Sequence, residues 1–348
     1  MNPYITAILL FGLIMGTTIT ASSSHWLLAW MGLEINTLAI IPLMTQNHHP
    51  RAIEATTKYF LTQATAAATL LFASVTNAWL TGQWDITLMT HPIPTTMIIL
   101  ALALKLGLAP LHTWLPEVLQ GLSLTTGLIL STWQKLAPFI LLLQIPCSNQ
   151  ELLIILGLMS TLVGGWGGLN QTQLRKILAY SSIAHLGWML LIIQFAPSLT
   201  LLALMTYLIL TTATFLTLKN NKATNINTLA TSWAKAPLLT AATPLLLLSL
   251  GGLPPMTGFL PKWLILQELT KQQLPTTAVL AAMTALLSLY FYLRLCYAMT
   301  LTMPPNNLAS TSLWRLPPLN PSLLLAMSTI MAIFILPLSP AIMALLHL

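Results

Sequence analysis

Two stretches of this 348-residue chain carry the same interruption. Residues 107–119 read Gly-Leu-Ala-Pro-Leu-His-Thr-Trp-Leu-Pro-Glu-Val-Leu, and residues 252–264 read Gly-Leu-Pro-Pro-Met-Thr-Gly-Phe-Leu-Pro-Lys-Trp-Leu. Gly107/Gly252, Leu108/Leu253, Pro110/Pro255, Leu115/Leu260 and Pro116/Pro261 each stand 145 positions apart, and Glu117/Lys262 puts a charge at the same step. Both stretches lie inside long apolar runs. Breaking an apolar helix with Pro and Gly frees backbone polar groups that lipid cannot satisfy, so the break has to line a buried, wet path. Such breaks at matching places in two halves of one chain are the pattern expected of a membrane transporter.

The rest of the sequence agrees with a membrane setting. Hydrophobic residues make up 56% and charged residues 5%, with a mean hydropathy of +0.81, which leaves too few charges to solvate a globular surface. The reading is an all-α polytopic membrane protein of about eleven transmembrane helices, each near the ~20 residues that cross roughly 30 Å of hydrocarbon. The spans are expected at about 3–22, 25–44, 54–80, 94–120, 124–144, 150–168, 174–195, 198–217, 237–270, 276–300 and 322–346. The fourth and ninth are too long for one straight crossing, since residues 237–270 at ~1.5 Å each would reach about 50 Å. These are the two that contain the breaks.

Thirteen Lys and Arg against six acids give a net charge of +7. In a soluble protein that balance would suggest nucleic acid or another anionic partner; here it reads as topology, and no nucleic acid is expected. Arg51, Arg175, Lys176, Lys219, Lys222, Lys235 and Arg315 fall in or beside the loops after spans 2, 6, 8 and 10, whereas Asp85, Glu151 and the mixed Glu268/Lys271 follow spans 3, 5 and 9. The positive-inside tendency then puts the N-terminus inside and the C-terminus outside. Residues 219–235, rich in Asn and Thr, read as a solvated connector, with contact to a partner as the alternative. Arg294, near a span end, and the loop residues His48 and His49 read as anchors.

Several chemistries find no support in the sequence. Met1-Asn2-Pro3-Tyr4 leads into the first span with no Arg- and Ser-rich leader, and Ala21-Ser22-Ser23-Ser24 reads as a tight turn between helices. Cys147 and Cys296 lack CxxC or paired Cys/His spacing, so neither a zinc site nor an iron–sulfur cluster is expected. Gly164-Gly165-Trp166-Gly167-Gly168 ends a span without a preceding strand and is no nucleotide turn.

The chemistry is therefore expected in ionisable groups inside the spans. Glu34, Lys105 and Lys135 fall near the middles of spans 2, 4 and 5, and Lys262 falls just past the break in span 9. Each such residue costs about 2.5–3.5 kcal/mol at a helix centre on insertion scales, so it needs partners or water, and a reason. An ammonium suits proton relay because desolvation and a neighbouring carboxylate act on its hold on a proton in opposite senses. A static buried ion pair fixing helix register is the alternative for Glu34. Lys58 follows Glu54 by one helical turn, a favourable pairing by itself, and relay is its alternative. For His112, in the first break, and His185, mid-span, relay and hydrogen-bonded packing stay open.

The string Lys105-Leu106-Gly107-Leu108-Ala109-Pro110-Leu111-His112-Thr113-Trp114-Leu115-Pro116-Glu117, together with Gln134-Lys135 and Gly251-Gly252-Leu253-Pro254-Pro255-Met256-Thr257-Gly258-Phe259-Leu260-Pro261-Lys262-Trp263, resembles the proton-translocating antiporter-like subunits of respiratory complex I. The resemblance covers essentially the whole chain. The Met-Asn-Pro start, the length and the lysine at position 262 are similar to a mitochondrial member. It implies two inverted five-helix repeats, residues 1–145 and 150–303, followed by residues 304–348 as a C-terminal loop and last helix. It implies a proton relay through Glu34, Lys105, Lys135 and Lys262, with Lys58 as an accessory lysine and His112 and His185 as further steps. The breaks at Pro110, Pro254 and Pro255 become candidates for a gate.

The same resemblance implies a subunit of an enzyme, an NADH:ubiquinone reductase, that holds no cofactor itself. FMN, iron–sulfur clusters and ubiquinone belong to the complex as a whole. Partners are other membrane-arm subunits, including neighbouring antiporter-like ones, and lipids such as cardiolipin. The location implied is the mitochondrial inner membrane, with the N-terminus on the matrix side and the C-terminus on the intermembrane-space side. Two other classes stay open: a stand-alone cation/proton antiporter, which broken repeats fit equally well, and a non-pumping scaffold of the membrane arm.

Overall fold

A computed structural model describes residues 3–46, 49–146, 149–234, 237–301 and 323–346. His48, Cys147, Lys235, Arg315 and the expected loop from 304 up to the last helix lie outside the described residues. Among the described residues the chain is helical, and its only β-type pairings are single bridges, His25 with Asp85 and Gln173 with Asn225.

The helices run in order α1 (Pro3–Ser22), α2 (Trp26–Met44), α3 (Pro50–Thr81), α4 (Pro92–Leu106), α5 (Trp114–Gly121), α6 (Leu124–Gln144), α7 (Gln150–Gly168), α8 (Leu174–Ile192), α9 (Pro197–Asn220), α10 (Ile226–Ala230), α11 (Pro237–Gly251), α12 (Phe259–Lys271), α13 (Pro275–Thr300), α14 (Leu323–Phe334) and α15 (Ser339–Leu346). Their starts follow local chemistry. Proline opens α3, α4, α9 and α13, where its missing N–H costs nothing. The His25 ring accepts from Leu27 N at the head of α2, and Ser123 Oγ accepts from Thr126 N at the head of α6. At the end of α7, Arg294 of α13 donates to the carbonyls of Leu169 and Gln171, a cation where a helix leaves carbonyls bare.

Seven helices among the described residues, α1, α2, α3, α6, α7, α9 and α13, are long and apolar enough to cross a membrane. The pair Leu323–Phe334 and Leu336–Ile342 makes an eighth span if counted as one, bent by 70°. That bend corrects the expectation of an uninterrupted last span: Pro337 removes a helical donor there, and Leu336–Leu338 form a single 3-10 turn. The other three expected spans fall on α4–α5, α8 and α11–α12. The helices α4 and α11 have 15 residues each, about 22 Å, which is short of a full crossing. The connector expected at 219–235 is solvated in part: Lys219, Lys222, Thr224, Asn227 and Thr231 are exposed. It is also structured, since Asn225 and Thr228 form a capping box that starts α10, Leu229 and Ser232 are fully buried, and Trp233 Nε1 donates to Met299 O at 2.8 Å.

The chain divides into two compact units, Met1–Leu156 and Gly157–Leu348. In the first, α1 lies directly on α2. A Cβ on Gly16 would come 2.8 Å from Gly32 O, and one on Gly32 would come 2.9 Å from Gly16 O. With no solvent to drive association, lipid-embedded helices gain contact by such small-residue approach. The core of this unit is built by Ile98, Leu102, Ala66, Leu70 and Phe139. In the second unit α8 is enclosed along most of its length and packs with α9, α12 and α13. Phe11, Phe72, Trp79, Met283 and Leu286 are exposed, which suits a surface facing hydrocarbon.

Candidate functional site

The two breaks are built alike. Helix α4 ends at Gly107, whose φ of +78° is open to glycine at little cost, and Leu108 N reaches back to Ala103 O at 2.9 Å. Helix α11 ends at Gly252, φ +83°, and Leu253 N reaches back to Leu248 O at 3.3 Å. Some end carbonyls are then taken by side chains from beyond the break. Trp114 Nε1 donates to Leu104 O at 3.0 Å, and Lys262 Nζ donates to Gly251 O at 2.8 Å. Pro110, Pro254 and Pro255 sit within these irregular segments and are exposed.

Each break therefore sets a lysine at the carbonyl end of a half-helix, where the dipole favours positive charge. In the first unit this is Lys105, in the last turn of α4 and 6% exposed. Lys105 and Lys135 of α6, itself 3% exposed, line one cavity of about 20 Å³, together with Asn36, Thr37, Tyr59, Gln63 and Gln134. That volume holds about one water. In the second unit Lys262 lines a separate cavity of about 20 Å³ with His185, Tyr207 and Thr206. The His185 and Tyr207 rings stand 5.7 Å apart.

Glu34 is placed differently from a direct partner of Lys105. Its Oε2 accepts from Thr37 Oγ1 at 3.0 Å, and no ion pair joins it to a lysine within 4.0 Å among the described residues. Glu34 and Lys105 belong to α2 and α4 of the same unit. A distant carboxylate can bias a proton without locking it, whereas a contact pair would hold it.

Lys58 does more than its spacing predicts. Its ammonium bridges Glu54 at 2.7 Å and Glu117 of α5 at 2.8 Å, tying α3 to the segment that follows the first break. All three groups are substantially exposed, so the bridge is a tether with modest strength. His112 sits inside the break, its Nδ1 3.3 Å from Pro110 O. Asn36 and Gln63, buried beside the two lysines, escaped the sequence reading because an amide in an apolar helix resembles any packing residue. The signal available was that both are strong hydrogen-bonding groups at mid-span.

Comparison with known proteins adds a consistent picture. The family described as NADH:quinone oxidoreductase/Mrp antiporter, transmembrane, matches residues 23–288, and the family described as NADH dehydrogenase subunit 2 C-terminus matches residues 289–343. The chain is 73% identical to the NADH-ubiquinone oxidoreductase chain 2 of Tetraodon nigroviridis over 99% of both chains, and 70% identical to that of Oncorhynchus mykiss over all of both. Among solved structures, a chain of respiratory complex I from Thermus thermophilus superposes with a TM-score of 0.85 at 28% identity, over 99% of this chain and 80% of that one.

Proposed function

The chain belongs to the NADH-ubiquinone oxidoreductase chain 2 family, within the NADH:quinone oxidoreductase/Mrp antiporter group, and from that premise we propose that it relays protons through Glu34, Lys105 and Lys135 in its first unit and Lys262 in its second. It is a membrane subunit of complex I, the proton-translocating NADH:ubiquinone reductase, and a multi-pass protein of the mitochondrial inner membrane. Electron transfer from NADH to ubiquinone takes place on the cofactors of other subunits and reaches this one as changes in charge along the membrane arm. Its partners are other membrane-arm subunits, with antiporter-like neighbours and lipids such as cardiolipin as the specific ones proposed.

We read the chain as eleven spans, with 1–145 and 150–303 as inverted repeats and 304–348 as an addition, its N-terminus facing the matrix. The 145-residue offset and the matching turns at Gly107 and Gly252 support that layout. The observation that carries the relay is that both broken helices deliver a lysine to a water-sized cavity, Lys105 from the last turn of α4 and Lys262 on the Gly251 carbonyl at the end of α11. A proton held there needs no fixed acid, so it can be released when the surrounding charge changes. Lys58, His112 and His185 are further candidates along the route, and the irregular segments with Pro110, Pro254 and Pro255 are the proposed gate. A gate is required because each charge crossing the membrane is worth about 2.3 kcal/mol per 100 mV, and an open wire would dissipate it.

Lys135→Met tests this directly, since it removes the titrating group at nearly constant volume. A positioned proton-transfer group contributes on the order of 10²–10⁴ in rate, so NADH-driven pumping by the assembled complex in vesicles is expected to fall at least roughly tenfold with assembly retained. Unaltered turnover and unaltered pumping would refute the relay.

A further inference from the structure

The first-unit cavity contains more hydrogen-bonding capacity than the protein satisfies. Asn36, Gln63 and Lys105 line it, and Nδ2 of Asn36, Nε2 of Gln63 and Nζ of Lys105 are buried without a hydrogen-bond partner among the described residues. Asn36 is 2% exposed and Gln63 4%, so bulk water does not reach them. Buried amides are almost always paired, with protein or with an ordered water.

The placement of these groups is specific. Asn36 comes from α2, Gln63 from α3, Lys105 from α4 and Lys135 from α6. Gln134, beside Lys135, donates from Nε2 to the backbone carbonyl of Asn36 at 3.1 Å, which holds α2 and α6 in register at this level. On the far side Asn36 presses on α1, where a Cβ on Gly16 would come 2.4 Å from its Oδ1, so only glycine leaves the amide its place. Nδ2 of Asn36 and Nε2 of Gln63, with room for about one water, suit a water molecule whose oxygen accepts from an amide. They do not suit a metal ion, which would face two lysines and two amide donors.

We propose that the amides of Asn36 and Gln63 hold and orient a water between Lys105 and Lys135, making both amides positioning residues for proton transfer. This rests on the relay reading above and deepens it. In the step, the Lys105 ammonium gives a proton to the water while the water gives one of its own to the neutral Lys135 amine. One N–H bond breaks and one forms, the water is regenerated, and a single positive charge moves. An amide suits the task because its N–H can donate to the water oxygen without titrating, which leaves the water's own protons free to move.

Two measurements on the assembled complex test it. A map fine enough to show waters is expected to place one within hydrogen-bond distance of both amides and of Lys105 in the parent, and to lose it in Gln63→Leu. Pumping by Gln63→Leu is expected to slow roughly tenfold, with an altered solvent isotope effect. A dry cavity in the parent, or parental pumping and isotope effect in the variant, overturns the proposal. Should Gln63→Leu fail to assemble, the parental map decides alone. Lys135→Met separates the two levels: pumping that survives it sinks the relay itself, whereas pumping that stops in Lys135→Met and persists in Gln63→Leu removes only the amides.

Discussion

Glu34 keeps its carboxylate occupied with Thr37 of its own helix, and this decides how it can act on Lys105. A through-space charge acts more weakly than the ~4 kcal/mol of a pair about 4 Å apart at effective dielectric ~20, so it biases a proton without fixing it. Glu34→Gln keeps shape and hydrogen bonding and removes only that bias. The coupled rate is expected to fall, with its pH dependence displaced from the parent's. Superimposable pH profiles would mean that Glu34 is not coupled to the relay. That Lys105 and Lys135 are buried was readable from the sequence, because each stands in a long, mostly apolar run. Which charges touch was not: Lys58 meets Glu117, fifty-nine positions away, and Glu34 meets Thr37 rather than a lysine. Contact depends on how each helix is rotated and on which helices become neighbours, and α2, which carries Glu34, has almost no amphipathic pattern to reveal its rotation.

At the scale of the element, the breaks turn a motif into a site. Gly252 sits at φ +83°, and a Cβ there would come 3.0 Å from Lys262 Cδ. Gly252→Ala is therefore expected to destabilise the chain by about 1–2 kcal/mol, the cost of a left-handed alanine. It should also pull Lys262 off the Gly251 carbonyl. Thermal melting of the assembled complex measures the first effect, and a map of the variant the second. An unchanged melting temperature with Lys262 still on Gly251 would show that the turn does not position the lysine. The interruption itself was legible in the sequence, since Pro and Gly disrupt a helix wherever they occur. The bend in the last span was not anticipated although Pro337 marks it, because a single proline in an apolar run is compatible with a mere kink.

At the scale of the whole molecule, the basic residues fix an expectation about sidedness. Arg51, Arg175, Lys176, Lys219 and Lys222 cluster in loops of one parity, and Asp85 and Glu151 in the other. An epitope at the N-terminus is expected to be reached by antibody only in inverted inner-membrane vesicles that expose the matrix face, and one at the C-terminus only from the opposite face. Accessibility in the reverse sense would overturn the orientation and, with it, the side from which protons enter.

Membrane residence, helical class, the paired breaks and the identity of the buried lysines all follow from the sequence, because hydrocarbon penalises every unpaired charge and backbone group strongly enough to be read residue by residue. Tertiary structure alone decided that Asn36 and Gln63 share a cavity with Lys105 and Lys135, that Lys262 caps α11, and that Leu229 and Ser232 are buried within the connector after α9. Those outcomes depend on which faces of uniformly apolar helices meet, and there the energy differences lie in close packing and hydrogen-bond geometry instead of in hydrophobic pattern.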